Sequence, residues 1–331
     1  MKQKLFKKIK IMSVLTIIEN WDGNFKKTSF ESVSYGKHIA DKLDSELFVI
    51  TFGGDNVNQI KSYGGDKILN IININLEEDS NITIAKACAE LINKHEISTI
   101  IMSNTNMGKS IAPLLASTLD AGLITNAIDY PSNYESLTIK CKAFSSKAYA
   151  QYQSKYLKNI ISIVPNSIGE VNEKEGQGEV IEINSESHIQ NNKLTIQSRH
   201  KLSGKISLGD ANIVVSAGRG LKSSENWNMI EELADILGAG TACSKPVSDM
   251  GWRPHSEHVG QTGLAINPEL YIAIGISGAI QHLAGVSSSK NIVVINTDPD
   301  APFFKSANYG IVGDAFDVVP KLIEVLKEHK N

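Results

Sequence analysis

The chain reads Ala217-Gly218-Arg219-Gly220-Leu221-Lys222-Ser223 where a short β-branched segment, residues 211–216, gives way to a predicted helix, residues 223–237. Glycines at such a junction permit a close approach of the backbone, and cations with a hydroxyl at a helix start are typical of a phosphate site. The spacing is an incomplete dinucleotide fingerprint, and an ordinary tight turn between strand and helix explains it equally well. The junction therefore predicts an α/β unit and leaves its ligand open.

Strands and helices continue to alternate on both sides of this junction. Further strands are predicted at 270–276, 291–296 and 309–313, and further helices at 278–283 and 316–327. Short buried-type strands separated by helices are typical of a parallel sheet covered on both faces. We therefore predict a Rossmann-like parallel-sheet domain over residues 204–331.

Two more loops in this domain are rich in glycine and in hydrogen-bond donors. They read Ile274-Gly275-Ile276-Ser277-Gly278-Ala279-Ile280-Gln281-His282 and Val259-Gly260-Gln261-Thr262-Gly263. The first leads a strand into a helix whose first turn carries small residues, so its backbone amides are predicted to face an anion or a polarised carbonyl. His282 lies close enough to that helix start to contact the same ligand, although a lone histidine is also commonly a structural residue.

The N-terminal part of the chain has the same alternation. Strands are predicted at 14–18, 46–51, 67–74, 99–102, 136–140 and 159–164, and amphipathic helices at 31–43 and 84–95. This pattern predicts a doubly wound α/β domain over residues 12–203. Residues 1–11, which hold five lysines and no acidic residue, are interpreted as a flexible extension. The polar stretch 170–203 is interpreted as the approach to the second domain.

Composition excludes several classes of protein. A length of 331 residues corresponds to about two domains of about 150 residues each. Thirty-three basic against 36 acidic residues give a net charge of −3, without the basic excess that nucleic-acid binding requires. Three scattered cysteines without a C-x-x-C pair favour a reducing compartment over a disulfide framework. No apolar run approaches the length of a membrane-spanning helix, and no G-x-S-x-G elbow indicates a hydrolase.

The sequence resembles the alpha subunit of electron-transfer flavoproteins. The resemblance is close from about 211 to 325 and looser from 12 to 203, where only the start at Met12 and the helix entry Met107-Gly108-Lys109 carry it. The close part rests on the three loops above and on Ser244-Lys245-Pro246 with Asp249, Pro268-Glu269-Leu270-Tyr271-Ile272-Ala273, Leu283-Ala284-Gly285, Asn296, Ala307-Asn308-Tyr309-Gly310 and Asp314.

This resemblance implies one FAD in the C-terminal domain and a heterodimer with a beta subunit. It further implies that electrons arrive from flavin dehydrogenases, such as the acyl-CoA dehydrogenases of fatty acid β-oxidation. They would leave singly to a quinone-reducing acceptor through a stabilised flavin semiquinone. The implied location is cytoplasmic for a bacterial protein and the mitochondrial matrix for a eukaryotic one.

The resemblance also implies which residues hold the cofactor. Arg219 would contact the pyrophosphate, and Ser244 would contact the cofactor as well. Val259, Gly260, Gln261 and Thr262 would line the isoalloxazine, with the Thr262 hydroxyl at N5. The ribityl and phosphate groups would lie near Ser277, Gly278, Ala279, Ile280 and Gln281. His282 would lie at the N1/C2=O edge, and Asn296 and Asp314 would hold the adenosine end.

Lys245 departs from the family, which usually has arginine at this position. Lysine keeps the positive charge but loses the planar fork of donors. A cation, an imidazole and a helix start at one edge of the flavin would stabilise negative charge on it. The departure at Lys245 therefore bears on how strongly the semiquinone is stabilised.

Three alternatives to an electron carrier remain, and the first is an NAD-dependent dehydrogenase. An NAD-dependent dehydrogenase on the same fold requires an acidic residue about 20 positions beyond Gly220, and residues 238–243 contain none. The second is an FAD-free structural partner that keeps only the fold, and the third is a subunit of an electron-bifurcating complex. A flavin absorption spectrum of the purified complex separates the electron carrier from the dehydrogenase and from the structural partner.

Overall fold

The computed structural model describes residues 13–21, 23–54, 56–144, 148–169, 176–186, 196–197, 207–209 and 211–330. They form two compact units, a first unit drawn from residues 1–141, 151–164 and 168–199 and a second unit drawn from 142–150, 165–167 and 200–331. The predicted extension at 1–11 and the predicted change of domain between 203 and 204 lie outside the described residues. That boundary therefore stays a prediction.

The described residues up to 183 form a nine-stranded sheet and a small separate ribbon, most of whose residues belong to the first unit. The strands in chain order are β1 Val14–Ile17, β2 Asn20–Trp21, β3 Asn24–Phe25, β4 Leu47–Thr51, β5 Lys67–Ile71, β6 Thr99–Ser103, β7 Gly122–Ala127, β8 Thr138–Ala143, β9 Ala148–Gln153, β10 Asn159–Ile163 and β11 Glu179–Ile183. The sheet order is β11-β5-β4-β1-β6-β10-β7-β8-β9, and β2 pairs with β3 in the ribbon. Neighbours from β11 to β7 are parallel, whereas β7 and β8 are antiparallel. The doubly wound prediction is confirmed, with a mixed edge.

Helices cover both faces of this sheet. They are α1 Lys27–Lys42, α2 Gln59–Ser62, α3 Asn81–Lys94 and α4 Asn106–Leu119. Alternation along β1 divides the core, because Leu15 and Ile17 pack with α3 and α4 while Val14 packs with α1 and α2. The helices α3 and α4 begin where the hydroxyls of Ser80 and Thr105 accept backbone N–H groups.

The sheet of the second unit is entirely parallel over its described strands. They are β12 Ile213–Ala217, β13 Gly240–Cys243, β14 Leu270–Ile274, β15 Asn291–Asn296 and β16 Tyr309–Val312, in the order β13-β12-β14-β15-β16. The helices are α5 Asn228–Leu237, α6 Lys245–Asp249, α7 Ile280–Val286 and α8 Ala315–Lys330. Apolar residues of α5 and α8 pack on one face of the sheet and those of α7 on the other. The predicted parallel sheet is confirmed.

Several details of the second unit differ from prediction, among them α6, which is not predicted, and α7, which lies two to three residues later than predicted. The strand β13 escapes prediction because it is only four residues long and lacks a β-branched run. The helix predicted from residue 223 begins instead at Asn228, after a 3-10 turn over Ser224–Trp227. None of the helices formed by the described residues combines the length and the apolar character that a bilayer crossing requires.

Candidate functional site

The predicted site residues of the second unit follow the carboxyl ends of its strands. Because these strands are all parallel, those ends lie along one edge of the sheet. Ligands of open α/β sheets bind at this edge, at the point where the connections that follow two neighbouring strands run to opposite sides. The strand order puts that point between β12 and β14. The residues are Arg219 after β12, Ser244 and Lys245 after β13, Ser277 to Gln281 after β14, Asn296 at the end of β15 and Asp314 after β16.

The loop of residues 259–263 is attached to the same edge. The N–H of Val259 donates to the carbonyl of Cys243, at the end of β13, over 3.1 Å, and the N–H of Gln261 donates to the carbonyl of Gln281 over 2.7 Å. Val259 is buried, whereas Gln261 and Thr262 are exposed. The loop therefore presents its polar side chains next to the start of α7, and the fold unites two predicted segments that lie about 20 residues apart in the chain.

The glycines of the first junction are explained by backbone packing. Gly220 donates its N–H to the carbonyl of Gly275 over 3.1 Å, and a Cβ added to Gly220 would lie 2.6 Å from the Gly275 Cα. A Cβ on Gly218 would lie 2.3 Å from the same carbonyl oxygen. The two βα junctions touch here, so these glycines are required for the fold whatever the site binds.

The first junction, residues 217–223, does not lead directly into the α-helix that follows it. Ser223 accepts the N–H of Glu225 over 3.3 Å and so begins the 3-10 turn, five residues before α5. The predicted helix start at residue 223 is therefore wrong, whereas the phosphate site at this junction stays a prediction. What the junction does offer at the edge is the exposed side chain of Arg219.

Two of the predicted polar residues are held by contacts within the protein. Asn296 donates to the carbonyl of Ile276 over 2.9 Å and accepts the N–H of Asp298 over 3.0 Å. Asp314 accepts the N–H of Phe316 at the start of α8, and this hydrogen bond, assisted by Lys222 at 3.4 Å, lowers the pKa of its carboxyl. These contacts fix Asn296 and Asp314 in position at the sheet edge.

Lys245 is the first residue of α6 and is about half exposed. Its ammonium lies 3.2 Å from the carboxylate of Asp249, one turn later on the same helix. An exposed pair of this kind contributes little to stability, but it partly offsets the charge that Lys245 presents to a ligand. The neighbouring Ser244 is buried and immediately precedes the helix.

His282 is the titratable group of the site with the strongest perturbation. Its side chain is only 7% exposed, and its Nε2 lies 2.8 Å from the hydroxyl of Tyr271. Burial, with a smaller contribution from His258, lowers the pKa of His282 to about 4. The imidazole is therefore neutral at pH 7 and acts as a hydrogen-bonding group rather than as a cation.

The corresponding edge of the first unit is filled by the chain itself. The cavity next to the carboxyl ends of β1 and β6 has a volume of about 10 Å³, which is about the space of one water molecule. At this edge the carboxylate of Glu19 accepts hydrogen bonds from the Trp21 indole and from the Thr105 hydroxyl. An acidic side chain there disfavours an anionic ligand at this edge.

Comparison with known families agrees with this geometry. A family model described as the electron transfer flavoprotein FAD-binding domain matches residues 207–287, and one described as the electron transfer flavoprotein domain matches residues 14–188. The electron transfer flavoprotein subunit alpha of Bacillus subtilis is 36% identical over 95% of this chain and 97% of its own length. The chain belongs to the electron-transfer flavoprotein alpha family.

Further relatives in this family span nearly the whole chain as well. The alpha subunit of Thermoanaerobacterium thermosaccharolyticum is 35% identical over 94% of this chain and 97% of its own length. A probable mitochondrial alpha subunit of Cryptococcus neoformans is 31% identical over 97% of this chain and 93% of its own length. The resemblance drawn from the sequence is confirmed, the second unit is an FAD-binding domain, and the chain is an FAD-binding electron carrier.

Sequence reasoning misses one residue next to this site. Tyr271 is identified from the sequence only as part of a strand, yet its hydroxyl contacts the predicted ligand-binding histidine. The alternation of β14 puts Tyr271 on the face opposite Ile272. No sequence signal indicates that α7 packs on that face.

Proposed function

We propose that this chain is the FAD-carrying subunit of a heterodimer with an electron-transfer flavoprotein beta subunit. It accepts electrons from flavin dehydrogenases such as acyl-CoA dehydrogenases and passes them singly to a quinone-reducing acceptor. The observation that carries the proposal is the convergence of Arg219, the 259–262 loop and His282 at one sheet edge in a chain of this family. A cytoplasmic location in a bacterium, or a mitochondrial matrix location in a eukaryote, completes the proposal.

The donor set fits FAD in its chemistry. The exposed guanidinium of Arg219 matches the charge of a pyrophosphate. The buried Nδ1 of His282 has no hydrogen-bond partner among the described residues, as expected of a group that a bound ligand completes. We assign Ser244, Lys245, Val259 to Thr262 and Ser277 to His282 to the flavin and its chain, and Asn296 with Asp314 to the adenosine end.

The roles of these residues are binding and tuning. FAD, when bound, supplies the capacity to take up two electrons and to release them one at a time. The residues around it orient the ring, exclude water and set its potential by hydrogen bonds and charge. His282 cannot serve as a general base near pH 7, because its pKa of about 4 makes it a poor proton acceptor. This suits a carrier, which moves electrons without transforming a carbon substrate.

Co-expression with a beta subunit tests the proposal. We expect the heterodimer to purify with one FAD, and a reduced acyl-CoA dehydrogenase to bleach its flavin spectrum in a stopped-flow experiment. The isolated chain should lose FAD during gel filtration, because the proposed partner stabilises the cofactor-bound state. A monomer that keeps stoichiometric FAD, or a heterodimer that no flavin dehydrogenase reduces, would contradict the proposal.

Arg219→Ala tests the assignment of the pyrophosphate. Loss of a charge-assisted hydrogen bond costs about 1.5–3 kcal/mol, so the affinity for FAD should fall by roughly tenfold or more. The matched control is Lys290→Ala, which removes an exposed cation immediately before β15, at the opposite end of the sheet, where Lys290 pairs with Glu269. Equal loss of FAD in both variants would show that net charge, and not the position of Arg219, matters.

A further inference from the structure

Tyr271 and His282 form a buried pair on the face of the sheet that α7 covers. The Tyr271 side chain is fully buried, and its Oη lies 2.8 Å from the Nε2 of His282. Phe303 packs against both rings, with its centroid 6.2 Å from that of Tyr271 and 5.7 Å from that of His282. The packing fixes which nitrogen of His282 meets the tyrosine hydroxyl and which one remains for contacts elsewhere.

The protons of this pair can be counted. Burial keeps the imidazole neutral and raises the pKa of Tyr271, so the pair holds one N–H and one O–H at pH 7. If Nε2–H donates to Oη, the tyrosine proton needs an acceptor elsewhere, and the lone pair of Nδ1 is unpartnered. If Oη–H donates to Nε2, only an N–H at Nδ1 is left without a partner among the described residues. The second arrangement buries fewer unpaired groups and is the more stable.

One neighbour favours the same arrangement. The backbone of Val259 raises the pKa of His282, as an acceptor facing an N–H does. Since Nε2 is taken by Tyr271, Val259 lies on the Nδ1 side of the ring, but Nδ1 has no hydrogen-bond partner among the described residues, so an N–H at Nδ1 is left for a ligand. Val259 belongs to the 259–262 loop, so this N–H lies on the side of the proposed flavin ring.

We propose that Tyr271 is a positioning residue that fixes His282 in the tautomer protonated at Nδ1, so that the site presents a neutral N–H donor to a carbonyl-type acceptor of the bound ring. The inference rests on the proposed function, because it takes that ring to be the flavin. The fixed tautomer keeps the lone pair of Nδ1 from facing a carbonyl oxygen, which would repel it. A tyrosine on the neighbouring strand therefore acts on the cofactor through the histidine.

The tautomer can be read directly by NMR. In the heterodimer labelled with ¹⁵N at the histidine rings, long-range proton–nitrogen correlations distinguish Nδ1–H from Nε2–H. We expect Nδ1–H for His282 at pH 7, and a shift to Nε2–H or to a mixture in Tyr271→Phe. Tyr309→Phe is the matched control, because it removes an exposed tyrosine hydroxyl from the same sheet and should leave the His282 signals unchanged.

Affinity for FAD gives the second readout. Tyr271→Phe should weaken FAD binding by about threefold to tenfold and lower the flavin potential, whereas Tyr309→Phe should change neither. An Nε2–H tautomer in the wild-type heterodimer would overturn the inference, and so would an unchanged Nδ1–H tautomer in Tyr271→Phe. The wild-type spectrum alone decides the first point if the variant does not fold. Failure of the wild-type heterodimer to bind FAD would instead overturn the proposed function. The two failures are distinguishable, because the tautomer is measured without FAD as well.

Discussion

Acid should destabilise the second unit through His282. The pKa of this histidine is about 4, against an ordinary value of 6.5. Below pH 6.5 the unfolded chain binds a proton that the folded chain rejects, so the free energy of unfolding falls as the pH falls from about 6.5 to about 4. At about 1.4 kcal/mol per pKa unit, the full loss is about 3 kcal/mol, of which about 2 kcal/mol is reached at pH 5. Above pH 6.5 this contribution is complete.

Urea unfolding of the FAD-free chain at pH 7.5 and pH 5 measures this effect. A Trp21→Phe background leaves Trp227 and Trp252, which both lie in the second unit, as fluorescent probes. His282→Gln keeps a polar side chain but does not titrate, so its free energy of unfolding should fall by about 2 kcal/mol less than that of the parent. His329→Gln, at an exposed position of α8, should behave as the parent.

Equal pH dependence in the parent and in His282→Gln would refute the reasoning. It would mean that the imidazole is protonated without cost in the folded chain, and so that its pair with Tyr271 does not keep it neutral. The buried His258 has a lowered pKa as well, chiefly because of burial, and contributes to the slope of both chains. The comparison between the two chains removes that contribution.

Two further changes test the loops around the site. Lys245→Ala should lower the flavin potential and Lys245→Arg should leave it similar, because a partly desolvated cation near developing negative charge is worth on the order of one kcal/mol; equal potentials in all three heterodimers would remove this residue from the site. Gly220→Ala should destabilise the second unit by about 1–3 kcal/mol in urea unfolding, since its Cβ would lie 2.6 Å from the Gly275 backbone. Gly209→Ala, where nothing lies within 4 Å, should cost far less, and a similar cost for both would contradict the packing explanation.

The local elements of both units follow from the sequence. The nearly continuous apolar runs at 14–18 and 99–102 predict strands buried on both faces, and the stripe of Ala85, Cys88 and Leu91 predicts the buried face of α3. These signals are local because side-chain periodicity and β-branching act within one element. Residues 170–203 show no such signal of a helix, and the structure adds the strand β11 there, paired with β5.

The family and its cofactor are also determined by sequence, because the three glycine-rich loops and their spacing are specific. The sequence does not determine the structural role of individual glycines. Gly218 and Gly220 are compatible with a phosphate approach or with a tight turn, and only the contact with Gly275 assigns them to packing between two junctions. The predicted start of α5 is wrong because Ser223 begins a 3-10 turn before the helix.

Tertiary structure alone decides the electrostatic character of the site. The sequence places His282 near a loop, but its burial, its neutral charge and its contact with Tyr271 depend on α7 packing over β14. A pKa reflects solvent exclusion and distances of a few ångströms between groups. Such distances are set by which elements pack together, and the periodicity of a single element carries no record of them.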